Sequence, residues 1–150
     1  MTLALRHAAL GLALAFASGL AAAQATPAGL WKTVDDSTKK EKSLVRIVES
    51  GGVYTGKVEQ VIDPDSPKDA VCKDCTDDRK DKPVVGMTII RNMKASGDKD
   101  VFEGGDILDP NNGKVYSAKL KLVEGGKKLD VRGYIGTPLL GRTQTWQRVE

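Results

Sequence analysis

Residues 115–123 read VYSAKLKLV, and this stretch decides the predicted fold class. Apolar side chains take every second position, at Tyr116, Ala118, Leu120 and Leu122. A two-residue period is typical of a β-strand that buries one face and exposes the other. Glu124-Gly125-Gly126 follows directly, and consecutive glycines allow the positive φ angles of a tight hairpin turn. The stretch therefore predicts a half-buried strand that reverses direction at its end.

Short apolar segments separated by turn residues continue in both directions from this strand. Val and Ile number 20 between Thr26 and Glu150, against 12 Leu and Ala, and β-branched side chains favour strands. Turn signals such as Ser50-Gly51-Gly52 separate the segments. We predict eight strands, at residues 30–34, 44–49, 53–62, 84–93, 101–108, 115–123, 128–135 and 139–149.

The succession of strands predicts an all-β fold, an eight-stranded antiparallel up-and-down β-barrel. Hairpins join each strand to the next, and closing the barrel leaves no unpaired edge. Eight strands enclose space for side chains or for one small ligand. A sandwich of two sheets is the alternative architecture for the same pattern.

The first 25 residues have the features of an export signal. Arg6 and His7 precede an uncharged stretch from Ala8 to Ala23, and small residues lead up to Ala25. This combination is typical of a secretory signal peptide, with cleavage after Ala25 or, alternatively, after Ala23. We therefore predict an exported protein, periplasmic or secreted, with residues 26–150 as a single β-barrel domain. No second long apolar run follows, so we predict no integral membrane span.

Composition excludes several classes of function. His7 is the only histidine and lies in the predicted signal peptide, so the exported chain lacks the imidazole of Ser-His-Asp, Cys-His and His-metal sites. The net charge of +3 falls to +2 without Arg6, and only six aromatic residues remain, which disfavours nucleic-acid binding. We predict no catalytic residues, no metal site, no cofactor and no enzymatic activity.

Residues 63–82 form a long, charged loop that carries both cysteines, Cys72 and Cys75. Two cysteines in an exported chain favour a disulfide, which here would fix a loop with little apolar surface. Two alternatives remain open. One is a redox-active Cys-x-x-Cys pair, and the other is a metal site with added carboxylates from Asp74, Asp77 and Asp78.

The last two strands concentrate polar and aromatic side chains. Together with Tyr116, we predict a ligand site formed by Arg132, Tyr134, Arg142 and Trp146, because aromatic and polar groups on a barrel wall can line a pocket. The alternative is an amphipathic outer face with Trp146 at one end of the barrel. For an anionic ligand the expected contact is Arg132 or Arg142, because a guanidinium matches the geometry of a carboxylate.

Several short motifs, each occurring once, are spread over nearly all of residues 26–150. They are Gly29-Leu30-Trp31-Lys32-Thr33, Cys72-Lys73-Asp74-Cys75, Lys82-Pro83, Gly86-Met87, and residues 104–110, 113–116, 131–136, 140–143 and 146–149. In these blocks the chain resembles an uncharacterised family of small exported bacterial proteins, the domain of unknown function numbered 2147. The resemblance implies a lipocalin-like (calycin-like) β-barrel and implies little about activity.

The first block also resembles the Gly-x-Trp pattern on the opening strand of lipocalins. That resemblance implies a structural role for Trp31, whose indole would plug the closed end of the barrel. A basic side chain from a late strand would cover the indole, and Arg148 or Arg142 would supply it.

Three functional hypotheses follow. The leading one is a non-enzymatic exported barrel that binds a small apolar or amphipathic molecule. The second is a cell-envelope module whose loops bind another protein or the cell wall, and the third is thiol chemistry at Cys72 and Cys75. The sequence assigns neither the ligand nor the oligomeric state.

Overall fold

The computed structural model of the 150-residue chain describes residues 25–150. The predicted signal peptide, residues 1–25, lies outside the described residues except for Ala25. Within the described part, no helix is long and apolar enough to cross a membrane.

Eight strands close into one antiparallel barrel, in which each strand pairs with the next and the last pairs with the first. The predicted all-β, eight-stranded up-and-down barrel is confirmed, and closure excludes the two-sheet sandwich. The strands are β1 (Gly29–Val34), β2 (Glu41–Ser50), β3 (Val53–Val61), β4 (Thr88–Ala95), β5 (Val101–Asp109), β6 (Lys114–Val123), β7 (Lys128–Tyr134) and β8 (Gly141–Arg148).

Two strands begin later than their apolar residues suggest. β4 starts at Thr88 rather than residue 84, because the chain bends at Gly86, whose φ is +89°. β8 starts at Gly141 rather than residue 139, because Leu139 and Leu140 lie in the preceding turn. In both places apolar composition extended the predicted strand into a connection, since hydrophobicity alone does not mark where the ladder of hydrogen bonds begins.

A register shift between β2 and β3 changes which residues of β3 face inward. Leu44 pairs with Gln60 but Val45 pairs with Val58, so β3 contains one extra residue at this point. Uninterrupted alternation would put Gln60 and Ile62 on the face of Val58, whereas Val61 is the buried residue. A bulge changes which side chains face inward, because the faces of a strand alternate with a period of two.

Trp31 fills one end of the barrel. Its side chain is completely buried, and its indole N–H donates to the Pro27 carbonyl at 2.8 Å. The guanidinium carbon of Arg148 lies 4.3 Å from the centre of the Trp31 ring, within cation–π distance. Arg148 also donates to the carbonyls of Thr26, Ala28 and Gly126. One guanidinium thus fastens both the chain entering β1 and the β6–β7 turn to the closed end.

The connection between β3 and β4 is compact. The predicted disulfide between Cys72 and Cys75 is confirmed, and both sulfurs are buried. Backbone bonds hold the flanking chain as a short hairpin, with the Cys72 amide donating to the Lys82 carbonyl and the Val84 amide donating to the Ala70 carbonyl, each at 2.9 Å. Arg79 is almost fully buried and donates to the Thr88 carbonyl, which joins this hairpin to the start of β4.

Candidate ligand-binding cavity

A cavity of about 470 Å³ occupies the half of the barrel opposite Trp31. Its walls come from inward-facing strand residues, and its mouth is bordered by the β1–β2, β3–β4, β5–β6 and β7–β8 connections. The β3–β4 hairpin contributes Ala70 and Val84 to this boundary, so the disulfide-bearing segment lies beside the cavity. The same barrel is therefore packed at one end and hollow at the other.

Apolar side chains form much of the cavity wall. Trp146 on β8 is 2% exposed and lies with Val131, Val58 and Ile107 among the lining residues. Gly133 leaves room in the cavity because it has no side chain. A Cβ at this position would lie 3.4 Å from the Tyr116 Cβ, and a longer side chain would extend into the cavity. The absence of a side chain at this inward position helps to keep the barrel open.

Uncharged polar groups interrupt the apolar wall. The Trp146 indole N–H donates to the Gln144 side-chain carbonyl at 2.9 Å, which leaves the amide nitrogen of Gln144 available as a donor. Thr33 and Ser43 share a hydroxyl–hydroxyl bond of 2.9 Å. The Asn112 side-chain amide donates to the Tyr116 hydroxyl at 3.2 Å. These groups offer hydrogen-bonding positions to a bound molecule without offering a net charge.

The two cations at the cavity mouth already have partners. Arg142 donates to both carboxylate oxygens of Asp36, at 2.7 and 3.0 Å, and this contact raises the pKa of Arg142. Lys42 donates to Asp63 at 2.5 Å, and this bond lowers the pKa of Asp63 to about 2. Asp63 is therefore ionised at neutral pH, and each of the two cations is paired with a carboxylate within the protein.

The structure brings four of the five predicted ligand-site residues to the cavity and leaves one outside. Tyr116, Tyr134, Arg142 and Trp146 line it. Arg132 does not, because it points along the outer surface, where it donates to the Pro138 carbonyl at 2.6 Å and to the Thr143 hydroxyl at 2.8 Å. We therefore omit Arg132 from the site.

Sequence reasoning missed the polar residues of β1 and β2. Thr33 and Ser43 line the cavity two positions along from the buried Trp31 and Val45. A signal for them was present, because alternation places Thr33 on the face of Trp31 and Ser43 on the face of Val45. A polar residue at an inward position of a barrel strand indicates either a buried hydrogen bond or a cavity.

The burial of the disulfide bears on the alternatives for Cys72 and Cys75. Thiol–disulfide exchange requires a thiolate to reach a sulfur atom, and neither sulfur is accessible here. The carboxylates of Asp77 and Asp78 are bonded to Arg79 and Arg91. Among residues 25–150, no group of three His, Cys, Asp or Glu side chains is arranged to hold a metal ion.

Comparison with known proteins identifies a family and a fold. The model of a family described as an uncharacterized protein conserved in bacteria (DUF2147) matches residues 29–148. The solved structure of protein HP1028 from the human pathogen Helicobacter pylori, described as belonging to the lipocalin family, superposes with a TM-score of 0.72. It is 20% identical in sequence, and the match covers 84% of each chain. No curated protein matches the chain.

Proposed function

The chain belongs to the bacterial family DUF2147, and we propose that it is an exported, non-enzymatic protein that binds one small, uncharged, amphipathic molecule inside its barrel. The observation that carries the proposal is the 470 Å³ cavity, apolar in its wall and polar at its mouth. Ligand pockets in proteins span roughly 300–1,000 Å³. A lipocalin-like barrel of eight strands is typically a binding fold with room for one small ligand.

The charge distribution supports an uncharged ligand. An anionic group at Arg142 would compete with Asp36, which already binds the guanidinium through both oxygens. A cationic group would find Asp36 bound by Arg142, whereas Asp35 and Asp109 at the mouth accept hydrogen bonds from backbone amides of their own turns. A hydroxyl or amide needs no such displacement and finds donors and acceptors at Gln144, Thr33 and Ser43.

The apolar part of the ligand would contact the apolar wall of the cavity. Trp146, Val131 and Ile107 present apolar surface below the polar mouth. Burying apolar area gains roughly 25 cal/mol per Å², so this part supplies most of the affinity, and the polar group determines orientation. The proposed ligand therefore enters with its apolar end first.

Two observations support export. The first 25 residues have the pattern of a cleavable signal, and the chain contains a buried disulfide. Disulfides persist in oxidising compartments such as the periplasm and are rare in the cytosol. The inaccessible sulfurs favour a structural role for this disulfide over thiol chemistry.

The decisive experiment fills the cavity. Gly133→Leu places a branched side chain against Tyr116 and Ile107. Val115→Leu, on an exposed strand position, is the matched control. Binding of an uncharged fluorescent amphiphile is measured by titration, and native mass spectrometry detects molecules that co-purify.

We expect the control to bind the fluorophore like the wild type and Gly133→Leu to bind about 10-fold more weakly or worse, since it loses most of the apolar contact. Circular dichroism verifies that both variants keep the strand content of the wild type. Equal binding by folded Gly133→Leu and wild type, or no binding of any amphiphile by the wild type, would contradict a ligand cavity.

A further inference from the structure

The β7–β8 connection projects apolar side chains into solvent beside the cavity mouth. We name residues 135–140, with the sequence IGTPLL, the apolar turn. Ile135 is 64% exposed, Leu139 is 88% exposed and Leu140 is 72% exposed. Single exposed apolar residues are ordinary, but three on one short turn form a patch of the kind that marks an interaction site.

Hydrogen bonds hold the apolar turn in its projecting conformation. The Thr137 amide donates to the Ile135 carbonyl at 3.1 Å, and the Leu140 amide donates to the Thr137 carbonyl at 3.0 Å. The Leu139 amide donates to the Thr137 hydroxyl at 3.1 Å. From outside the turn, Arg132 donates to the Pro138 carbonyl. Folding the leucines back onto the barrel would break these hydrogen bonds. The hydrogen-bonded conformation of the turn therefore keeps both leucine side chains exposed.

The charges around the turn follow a simple pattern. Residues 133–141 contain no charged side chain, and an arginine stands at each end of this stretch, at Arg132 and Arg142. Arg142 is paired with Asp36, whereas the bonds of Arg132 go to neutral groups, the Pro138 carbonyl and the Thr143 hydroxyl. An uncharged apolar tip with a cation at its base has the charge complementarity of a segment that enters a bilayer below anionic headgroups.

We propose that the apolar turn docks the open end of the barrel onto the surface of a lipid bilayer. Leu139 and Leu140 enter the acyl boundary, and Arg132 lies at the level of the lipid phosphates. A second copy of the chain suits the turn less well, because stable protein interfaces bury roughly 1,200–2,000 Å² and a six-residue turn presents far less. A bilayer needs no complementary pocket and accepts a small apolar protrusion.

Docking would place the cavity mouth at the lipid surface. Ile135 and Leu140 of the apolar turn also line the cavity, so the patch is continuous with the wall that would hold a ligand. An amphipathic molecule would then pass from the bilayer to the barrel without crossing bulk water. This consequence rests on the proposed function, whereas the docking itself does not.

The first test locates the contact. Leu139→Trp places an indole on the apolar turn, and Val48→Trp places one at an exposed position on β2 as the control. Each purified variant is mixed with phosphatidylcholine–phosphatidylglycerol vesicles with or without brominated acyl chains. We expect brominated lipid to quench the added fluorescence of Leu139→Trp and to leave that of Val48→Trp unchanged. Equal quenching of the two variants, or none in either, would overturn the proposal.

The second test measures the contribution of the turn to binding. The double variant Leu139→Asp/Leu140→Asp is compared with Val48→Asp by co-sedimentation with the same vesicles. We expect at least about 10-fold weaker partitioning for the double variant, because two apolar side chains no longer enter the acyl boundary. Every variant shares the wild-type N terminus, so any contribution of residues 1–25 cancels. Unchanged partitioning would overturn the proposal.

Two further readouts separate the remaining outcomes. Sedimentation velocity without vesicles tests the second copy, and a wild-type dimer that the double variant loses would replace the bilayer by a dimer interface. Binding of the soluble fluorescent amphiphile without vesicles tests the cavity. If the wild type binds the amphiphile and fails to bind vesicles, docking is wrong and the proposed function stands.

Discussion

The two tryptophans of the barrel lie in its two halves and perform different tasks. Both are buried, at 0% exposure for Trp31 and 2% for Trp146, and both have a satisfied indole N–H. Trp31 bonds a backbone carbonyl and lies under Arg148. Trp146 bonds a side chain, Gln144, and lines the cavity. Burial alone therefore does not distinguish a residue that closes a barrel from one that contacts a ligand.

The difference lies in what surrounds each ring. At the Trp31 end, Arg148 binds the chain entering β1 and the β6–β7 turn, and even Gly29 could not carry a Cβ, which would lie 2.3 Å from the Glu150 carbonyl oxygen. Trp146 pairs with Leu129 across the sheet, and the cavity that it lines has Gly133, Thr33 and Ser43 at other inward positions. The closed half therefore contributes more to the stability of the fold, whereas the open half is less tightly packed and encloses the cavity.

Removing the closing indole should have the largest effect. Trp31→Ala is expected to lower the free energy of unfolding by about 3–5 kcal/mol, because it deletes a fully buried aromatic side chain and leaves a void. Urea denaturation followed by circular dichroism measures the change. A loss below about 1 kcal/mol would mean that the closed half does not carry the stability assigned to it.

Replacing each of the two β8 arginines by methionine compares the stability that the closed end and the open end contribute. Arg148→Met is expected to cost about 2–3 kcal/mol, because three carbonyl groups at the closed end lose a charged donor and the Trp31 ring loses its cover. Arg142→Met is the matched control, since Arg142 is 69% exposed and bonds only surface groups. Thermal unfolding of both proteins provides the comparison, and equal losses would remove the distinction between the two ends.

Removing the disulfide tests the wall of the open half. Cys72→Ser/Cys75→Ser is expected to lower the free energy of unfolding by about 2 kcal/mol, the loop-entropy value for a four-residue loop. Binding of the fluorescent amphiphile should also weaken, because Ala70 and Val84 flank the bonded segment and line the cavity. Unfolding and binding titrations measure the two effects. A destabilised variant with unchanged affinity would show that the hairpin is not part of the binding wall.

Acid should lower the stability of the protein mainly through the β3–β4 connection, which lies at the open half of the barrel. Hydrogen bonds from Lys42 and Arg79 lower the pKa values of Asp63 and Asp77 to about 2, from an ordinary value of 3.8. Since the folded pKa values are the lower ones, the stabilisation is present above 3.8 and is lost as the pH falls through about 2.

The thermal midpoint should therefore fall over that interval, and Asp63→Asn should lower the midpoint at neutral pH and flatten its dependence on acid. Asp98→Asn, in the β4–β5 turn, serves as the control. An acid profile identical in Asp63→Asn and the wild type would exclude the Lys42–Asp63 pair as its cause.

Much of the fold was readable from local pattern. Alternation at residues 115–123 identifies a strand without reference to anything distant, because the two faces of a strand follow directly from its geometry. Strand number, barrel closure and the Cys72–Cys75 pairing were also predicted. The first residues of β4 and β8 were not, because Val84 and Leu139 are apolar for tertiary reasons, one beside the cavity and the other on a projecting turn.

The candidate site was only partly readable, and the two arginines of β8 show why. Arg142 and Arg148 occupy the same face of one strand, and the sequence offered either as the cover of Trp31. The barrel puts one at the closed end over an indole and the other at the mouth beside Asp36, which is 106 residues away in the chain. By itself the sequence determined the number of strands, their order and the inward residues of regular strands such as β6, because these depend on spacing along the chain. Tertiary structure alone decided which inward positions are filled and which enclose a cavity, because that depends on residues brought together from distant strands.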